Sequence, residues 1–115
     1  MVDWIKKLDA LYPKLSRNAR CYFCGRKAEH QHHIIKRDCL LLRYDSKNLL
    51  SVCAACHAFI HNKGANIENY ISPSRWLYLE QMKNIQFQDY LIAHNLTRDE
   101  FFREQEQLLK EAING

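Results

Sequence analysis

The sequence predicts an α+β fold: a small β-β-α centre held by metal, with a helix before it and a helical tail after it. Three observations carry that expectation. Ten of the eleven Cys and His residues fall between positions 21 and 61, with only His94 outside. Within that window two short extended stretches are separated by a loop and followed by a helical one. On either side, apolar residues recur at helical spacing. At 115 residues, 47% hydrophobic and 26% charged, the chain is expected to form a single domain, 1–115, with an N-terminal helical segment (1–20), a zinc-bracketed core (21–64) and a helical tail (65–115). No apolar run reaches the ~18 residues of a membrane span. Asp3 and the lack of an apolar stretch near the start argue against a signal or lipidation sequence, so the expectation is a cytoplasmic protein with reduced thiols and no membrane partner.

Taken in order, Trp4, Ile5, Leu8, Leu11, Tyr12 and Leu15 are spaced as one face of a helix that Pro13 interrupts, which predicts a helix over about residues 3–12, packed on the metal core. Ala28–Ile35 and Leu49–Val52 read as strands, and Tyr44-Asp45-Ser46-Lys47-Asn48 as the turn that closes the loop between them. Ala54–His61 reads as a helix that ends at Asn62-Lys63-Gly64, with Gly64 suited to a left-handed cap. Ser72-Pro73-Ser74 opens a helix holding Trp76, Leu77, Leu79 and Met82, and Phe87, Tyr90, Leu91 and Ile92 mark another. Thr97-Arg98-Asp99-Glu100 fits a capping box, and Leu96 with Phe101 fits a hydrophobic staple, opening a last helix with Phe101, Phe102, Leu108, Leu109, Ala112 and Ile113 on its apolar side. These stripes are read as packing surface.

Charge is divided along the chain. Residues 1–60 hold eleven Lys/Arg against five Asp/Glu, a balance of +6, while residues 61–115 hold six against eight, a balance of −2, within the net +4. The basic half coincides with the Cys/His window. Arg17, Arg20, Arg26, Lys27, Lys36, Arg37, Arg43 and Lys47 are therefore candidates for phosphate contacts on DNA.

Cys21-Tyr22-Phe23-Cys24 and Cys53-Ala54-Ala55-Cys56 are two C-x-x-C pairs, each able to turn both thiolates onto one ion; together they make a closed four-cysteine site for structural Zn²⁺. Gly25 suits the sharp turn of a zinc knuckle. A redox C-x-x-C would occur once and would not explain the second pair. Cys39 has no partner in this scheme and reads as a small apolar loop residue. His57 and His61 are four apart, so on a helix both imidazoles point from one face toward one ion. Adjacent strand residues point to opposite sides, so one of His32 and His33 completes that site while the other faces the substrate. Three protein ligands with open positions describe a catalytic ion. No H-E-x-x-H occurs, which disfavours other zinc hydrolase chemistry.

Cys21-x-x-Cys24, His32-His33-Ile34-Ile35, Asn48-Leu49-Leu50 and Val52-Cys53-x-x-Cys56-His57-x-x-x-His61 resemble the HNH endonucleases of the ββα-metal class over about residues 21–61. The resemblance implies a metal-dependent DNA endonuclease of phage or mobile-element type. In it His33 is the general base, His32 with His57 and His61 holds the divalent ion, and Asn48 orients the base through the loop. Arg37 and Arg43, together with Lys36 and Lys47, are the DNA-contacting candidates. Family members often carry Asp where His32 stands, and an all-imidazole set accepts Zn²⁺, Ni²⁺ or Mn²⁺ as well as Mg²⁺. Arg37, Leu40-Leu41-Leu42-Arg43-Tyr44-Asp45-x-x-Asn48 and Tyr70-Ile71 are further similar to phage NinG-type recombination nucleases, which act on branched DNA such as Holliday junctions. Those proteins usually have Cys-Asn where this chain has Cys56-His57, which favours a general HNH nuclease. The alternative from another class is a non-catalytic zinc-binding module for DNA. The aromatic side of the acidic tail is suited to forming a homodimer.

Overall fold

The computed structural model describes residues 1–63 and 66–115. Both the expected cap at Gly64 and the boundary between core and tail at 64 and 65 lie outside the described residues. Helix α1 (Trp4–Leu11) starts where the Asp3 carboxylate accepts from the Lys6 N–H at 3.1 Å, and Pro13 turns its end into a 3₁₀ segment, Tyr12–Ser16. Two strands, β1 (His30–His33) and β2 (Leu49–Val52), pair antiparallel with His30 opposite Val52 and His33 opposite Leu49. Helix α2 (Ala54–Lys63) follows at once, so the β-β-α order read from the sequence is present.

The tail holds α3 (Pro73–Lys83), α4 (Phe87–Ala93) and α5 (Arg98–Asn114). The Ser72 side chain caps α3 by accepting from Arg75 N–H at 3.2 Å, with Pro73 in the first turn. Both halves of the capping box form on α5: Thr97 Oγ1 accepts from Glu100 N–H at 3.1 Å, and Glu100 Oε1 accepts from Thr97 N–H at 2.9 Å. Asn95, with φ +53°, reverses the chain between α4 and α5. Among the described residues no helix is long and apolar enough to cross a membrane.

β1 is shorter than the expected Ala28–Ile35. The ladder reaches Ile34, whose N–H donates to the Asn48 backbone carbonyl, and then the Asn48 side chain takes over. Its Oδ1 accepts from Ile35 N–H at 2.6 Å and its Nδ2 donates to the carbonyls of Ile35 and Leu42, each at 3.0 Å. Asn48 is fully buried. A side-chain amide thus does the work of a peptide group and closes the loop over Lys36–Lys47.

The buried residues form two clusters. The first, around Leu42, Leu50, Val52, Ile60 and Leu79, lies under the sheet, α2 and α3. The second gathers Trp4, Leu8, Tyr44, Leu91, Phe102 and Leu109 from α1, the loop, α4 and α5. Cys39 and Met82 pack against both. α1 therefore packs on both the tail helix α5 and the core loop at Leu41 and Tyr44, and not on the core alone. Trp4 stacks on Phe102 with centroids 6.4 Å apart and donates from Nε1 to Asp99 Oδ1 at 2.7 Å, because the largest apolar surface within its reach is the aromatic face of α5. The tail stripes are also narrower than expected. Leu77, Ile92 and Leu108 are more than half exposed, since each tail helix meets a neighbour along one strip only and these residues fall at its edge or beyond.

Phe102→Ala is expected to lower stability by about 3–5 kcal/mol, and Leu108→Ala by less than about 0.5 kcal/mol, in urea titrations. Equal losses would contradict this division of the tail surface.

Candidate metal centre

The first C-x-x-C pair sits in a knuckle closed by Cys21 N–H to Arg26 O at 2.6 Å and Gly25 N–H to Cys21 O at 3.0 Å. Gly25 has φ +76°, where a residue with a Cβ would be strained. A further bond, Tyr22 N–H to Ser51 O at 2.8 Å, fastens the knuckle to β2. The second pair enters α2, where Cys53 and Cys56 are separated by one helical turn. The four sulfurs lie within 4.8 Å of one another, with Cys24 Sγ and Cys53 Sγ 3.6 Å apart. A tetrahedral zinc with Zn–S of about 2.3 Å sets its sulfurs about 3.8 Å apart, so the four cysteines fit a structural zinc site. Burial raises the Cys21 thiol, but peptide N–H groups of Cys24, Cys53 and Phe23 outweigh it and bring it down to about 6. The hydrogen bond shared with Cys53 pushes Cys56 up to about 12, as burial and the neighbouring sulfurs also do. Four thiols this close resist ionising together, and a dication is what would remove that resistance. Cys39 stands outside the group, half-buried between the two apolar clusters.

The strand alternation divides the histidines of β1. His32 faces α2, where its ring nitrogens come within 4.8 Å of those of His57 and His61. His57 Nε2 is 3.0 Å from His61 Nε2, as the four-residue spacing requires. Burial, followed by the neighbouring imidazoles His57, His61 and His33, lowers His32 to about 4; burial with His61 and His30 also lowers His57. Neutral rings are the form that binds a metal. His32 is buried and His61 exposed, so the cluster opens to solvent at one edge.

His30 belongs to this group as well, although sequence reasoning left it unassigned. Its Nδ1 is 2.9 Å from His57 Nδ1, on the side of the ring away from His61. The signal was available: His30 and His32 are two apart on one strand and share a face.

His33 and Gln31 turn to the other side of β1. Gln31 donates to Ser16 Oγ at 2.9 Å and Ser51 Oγ at 2.7 Å. His33 Nε2 lies 2.9 Å from the Arg43 carbonyl, and the edge of its ring meets Tyr12 with centroids 5.1 Å apart. A carbonyl only accepts, so Nε2 carries the proton and Nδ1 keeps the lone pair. Burial lowers the His33 pKa and the charges of Arg37 and Arg43 add to this, against the hydrogen bond to Arg43, which raises it.

Asn48 does not touch the His33 ring; it holds the carbonyl of Leu42, next to the carbonyl that receives His33, so its link to that ring runs through the loop. One expected role changes. Arg43 is not turned outward toward a phosphate. Its Nη2 and Nε bind Asp9 of α1 at 2.7 and 3.1 Å, and its Nη1 donates to the Arg37 carbonyl at 2.9 Å. Tyr44 donates to the same Asp9 at 2.8 Å. Burial raises the Asp9 carboxyl, but these bonds from Arg43 and Tyr44 outweigh it and hold it below the ordinary carboxylate value. Of the other cations, Lys36 and Arg37 are exposed on the loop, and Lys47 is exposed with Nζ 4.3 Å from the Tyr78 ring centroid.

Compared with known proteins, the chain matches no family model, no curated protein and no solved structure.

Cys56→Ser is expected to lose bound zinc on dialysis and most of its helical circular dichroism, since structural zinc affinity is largely folding energy. A Cys56→Ser protein melting like wild type would show that the thiol site is not structural. His61→Ala should keep one zinc per chain and its fold.

Proposed function

We propose that the protein is a metal-dependent DNA endonuclease of the HNH type, hydrolysing phosphodiester bonds. The observation that carries this reading is the pairing, on one short strand, of His32 in a three-imidazole cluster with His33, whose tautomer is set by a carbonyl. Hydrolysis of a phosphodiester needs an acceptor for the proton of the attacking water. His33 Nδ1 is that acceptor, a neutral imidazole nitrogen with its ring braced on both sides by the Arg43 carbonyl and Tyr12. His32, His57 and His61 would hold a divalent ion, and His30 would fix the ring of His57 through Nδ1 so that Nε2 faces the ion. Such an ion supplies charge stabilisation at the phosphate and at the leaving oxygen when bound. Three imidazoles suit Mn²⁺, Ni²⁺ or Zn²⁺ as well as Mg²⁺. The four thiols serve as framework rather than chemistry.

Positioning of the base extends beyond the segment that carries the motif. Asp9 holds the guanidinium of Arg43 and the hydroxyl of Tyr44, and the backbone between these two side chains presents the carbonyl that His33 meets. The basic half of the chain favours a polyanionic substrate.

In a supercoiled plasmid assay across Mg²⁺, Mn²⁺, Ni²⁺ and Zn²⁺, His33→Ala is expected to lose about 10²- to 10⁴-fold in kcat with zinc content unchanged. Cleavage retained by the purified variant would overturn the base assignment, and no cleavage by wild type with any ion would leave a DNA-binding module. Asp9→Asn should lower kcat by about tenfold with KM little changed, and Asp9→Glu should restore part of it. A change confined to KM would place Asp9 in substrate binding instead.

A further inference from the structure

On the knuckle side of the molecule an aromatic cleft of about 400 Å³ is walled by Tyr22, Phe23, Phe59 and Tyr70. Three of these rings are about half exposed, Tyr22 at 46%, Phe59 at 55% and Tyr70 at 52%, where core aromatics of this chain such as Phe102 are fully covered. Tyr22, Phe23 and Tyr70 also hold one another in place. Phe23 meets Tyr22 and Tyr70 edge-on, each at 5.3 Å, and the Tyr22 hydroxyl donates to the Tyr70 carbonyl. Fixed, exposed ring faces lose little conformational freedom when something stacks on them.

Tyr22 is shared with a second cleft, of about 450 Å³, lined by Arg20, Lys47 and Arg75. Arg75 spends Nε and Nη2 on the carbonyls of Lys47 and Leu49, at 2.7 and 3.1 Å, and so braces that cleft. Arg20 and Lys47 are exposed, Arg20 with one Nη1 bond to the Gly25 carbonyl at 3.2 Å and Lys47 with Nζ over the Tyr78 ring. Among the described residues no Asp or Glu lines either cleft. A flat apolar slot beside a cationic slot, with one tyrosine between them, matches the division of a nucleotide into base and phosphate. Paired bases cannot reach such a slot, because their faces are covered by the stack.

We propose that this double cleft binds a single-stranded segment of DNA, its bases stacked on Tyr22, Phe59 and Tyr70 and its phosphates against Arg20 and Lys47. The surface lies apart from the imidazole cluster: Phe59 projects from α2 on the side away from His57 and His61, by helical geometry. It rests on the nuclease reading only for what the bound strand is used for, since the binding itself needs neither His33 nor the second ion.

The test measures binding of a fluorescent oligothymidine and of a blunt hairpin duplex of equal length, with zinc-loaded protein in the His33→Ala background. Phe59→Ala combined with Tyr70→Ala is expected to weaken oligothymidine binding by about tenfold or more while leaving duplex binding within about twofold. Tyr22→Phe, which keeps the ring but removes the hydroxyl that holds the Tyr70 backbone, should weaken oligothymidine binding by less than the aromatic double variant does. Arg20→Ala and Lys47→Ala should each reduce the salt slope of single-strand binding by about 0.7. Unchanged oligothymidine affinity in the aromatic double variant would overturn the proposal, as would an equal loss on both DNAs. A shift of that variant from dimer to monomer in sedimentation, with DNA binding intact, would overturn it in favour of a second copy of the chain. Failure of the plasmid assay with these binding results intact would remove the nuclease reading and leave the cleft standing.

Discussion

The arrangement of the site depends on one buried amide. Asn48 has no exposed surface, and its three side-chain hydrogen bonds span the loop that leaves β1 at Ile34 and re-enters the sheet at Leu49. Without that amide, the Ile35 N–H and carbonyl would lose the partner that Asn48 gives them, at a cost of about 1–3 kcal/mol for each group left unsatisfied, and the Leu42 carbonyl would keep only the Asp45 N–H. Those bonds fix where Leu42 sits, the next residue presents its carbonyl to His33, and the one after buries Tyr44 in the second cluster. One side chain therefore sets the strand register, the tautomer of His33 and the junction between the two apolar clusters.

That junction explains why a chain of this size tolerates two clusters instead of one. Neither is large, and a small core gives little net stability. What joins them is partly apolar, through Cys39 and Met82, and partly ionic, through the Asp9 carboxylate with Arg43 and Tyr44. Arg43 and Asp9 are mostly covered, with side-chain exposures of 14% and 27%, and the two-point contact is the geometry in which an arginine pair retains most of its strength. The same contact carries mechanical information from α1 to the loop. At the other end the four cysteines bring the knuckle against the first turn of α2, in an arrangement that fits a zinc ion.

The legible parts of the sequence were those whose partners are close along the chain or declared by chemistry. The thiol pairs, the His57/His61 spacing, the Leu49–Val52 strand and the capping box at Thr97 and Glu100 are all set by intervals of two to four residues, and each interval has one geometric meaning. What was not legible were partnerships over long separations. A basic residue in a basic half reads as a phosphate contact, and nothing in the spacing of Arg43 shows that Asp9, 34 positions earlier, will claim it. Asn48 reads equally as a turn former and as a group that orients His33 through the loop; its partners, Ile35 and Leu42, become visible only once β1 and β2 are paired. Leu77, Ile92 and Leu108 show the same limit, since periodicity states which residues share a face but not whether a neighbour covers it.

The placement of Cys56 and His57 side by side on α2 has a consequence for how the two clusters can behave. Consecutive helical residues point about 100° apart, so one turn of helix supplies a sulfur to the closed group and an imidazole to the open one. The thiols number four, with hydrogen bonds from surrounding peptide groups, and a tetrahedral ion held by all four would have no position left for a further ligand. The imidazoles are three within the cluster, with one member exposed, and the ring of the middle one is braced from behind by His30. Four thiols that fit a closed tetrahedral site and three imidazoles that open to solvent at one edge are thus joined by a single peptide bond. With an ion on the four thiols, a movement of the knuckle relative to β2 would displace Cys56 and with it His57, so the geometry of the open cluster would depend on the integrity of the closed one.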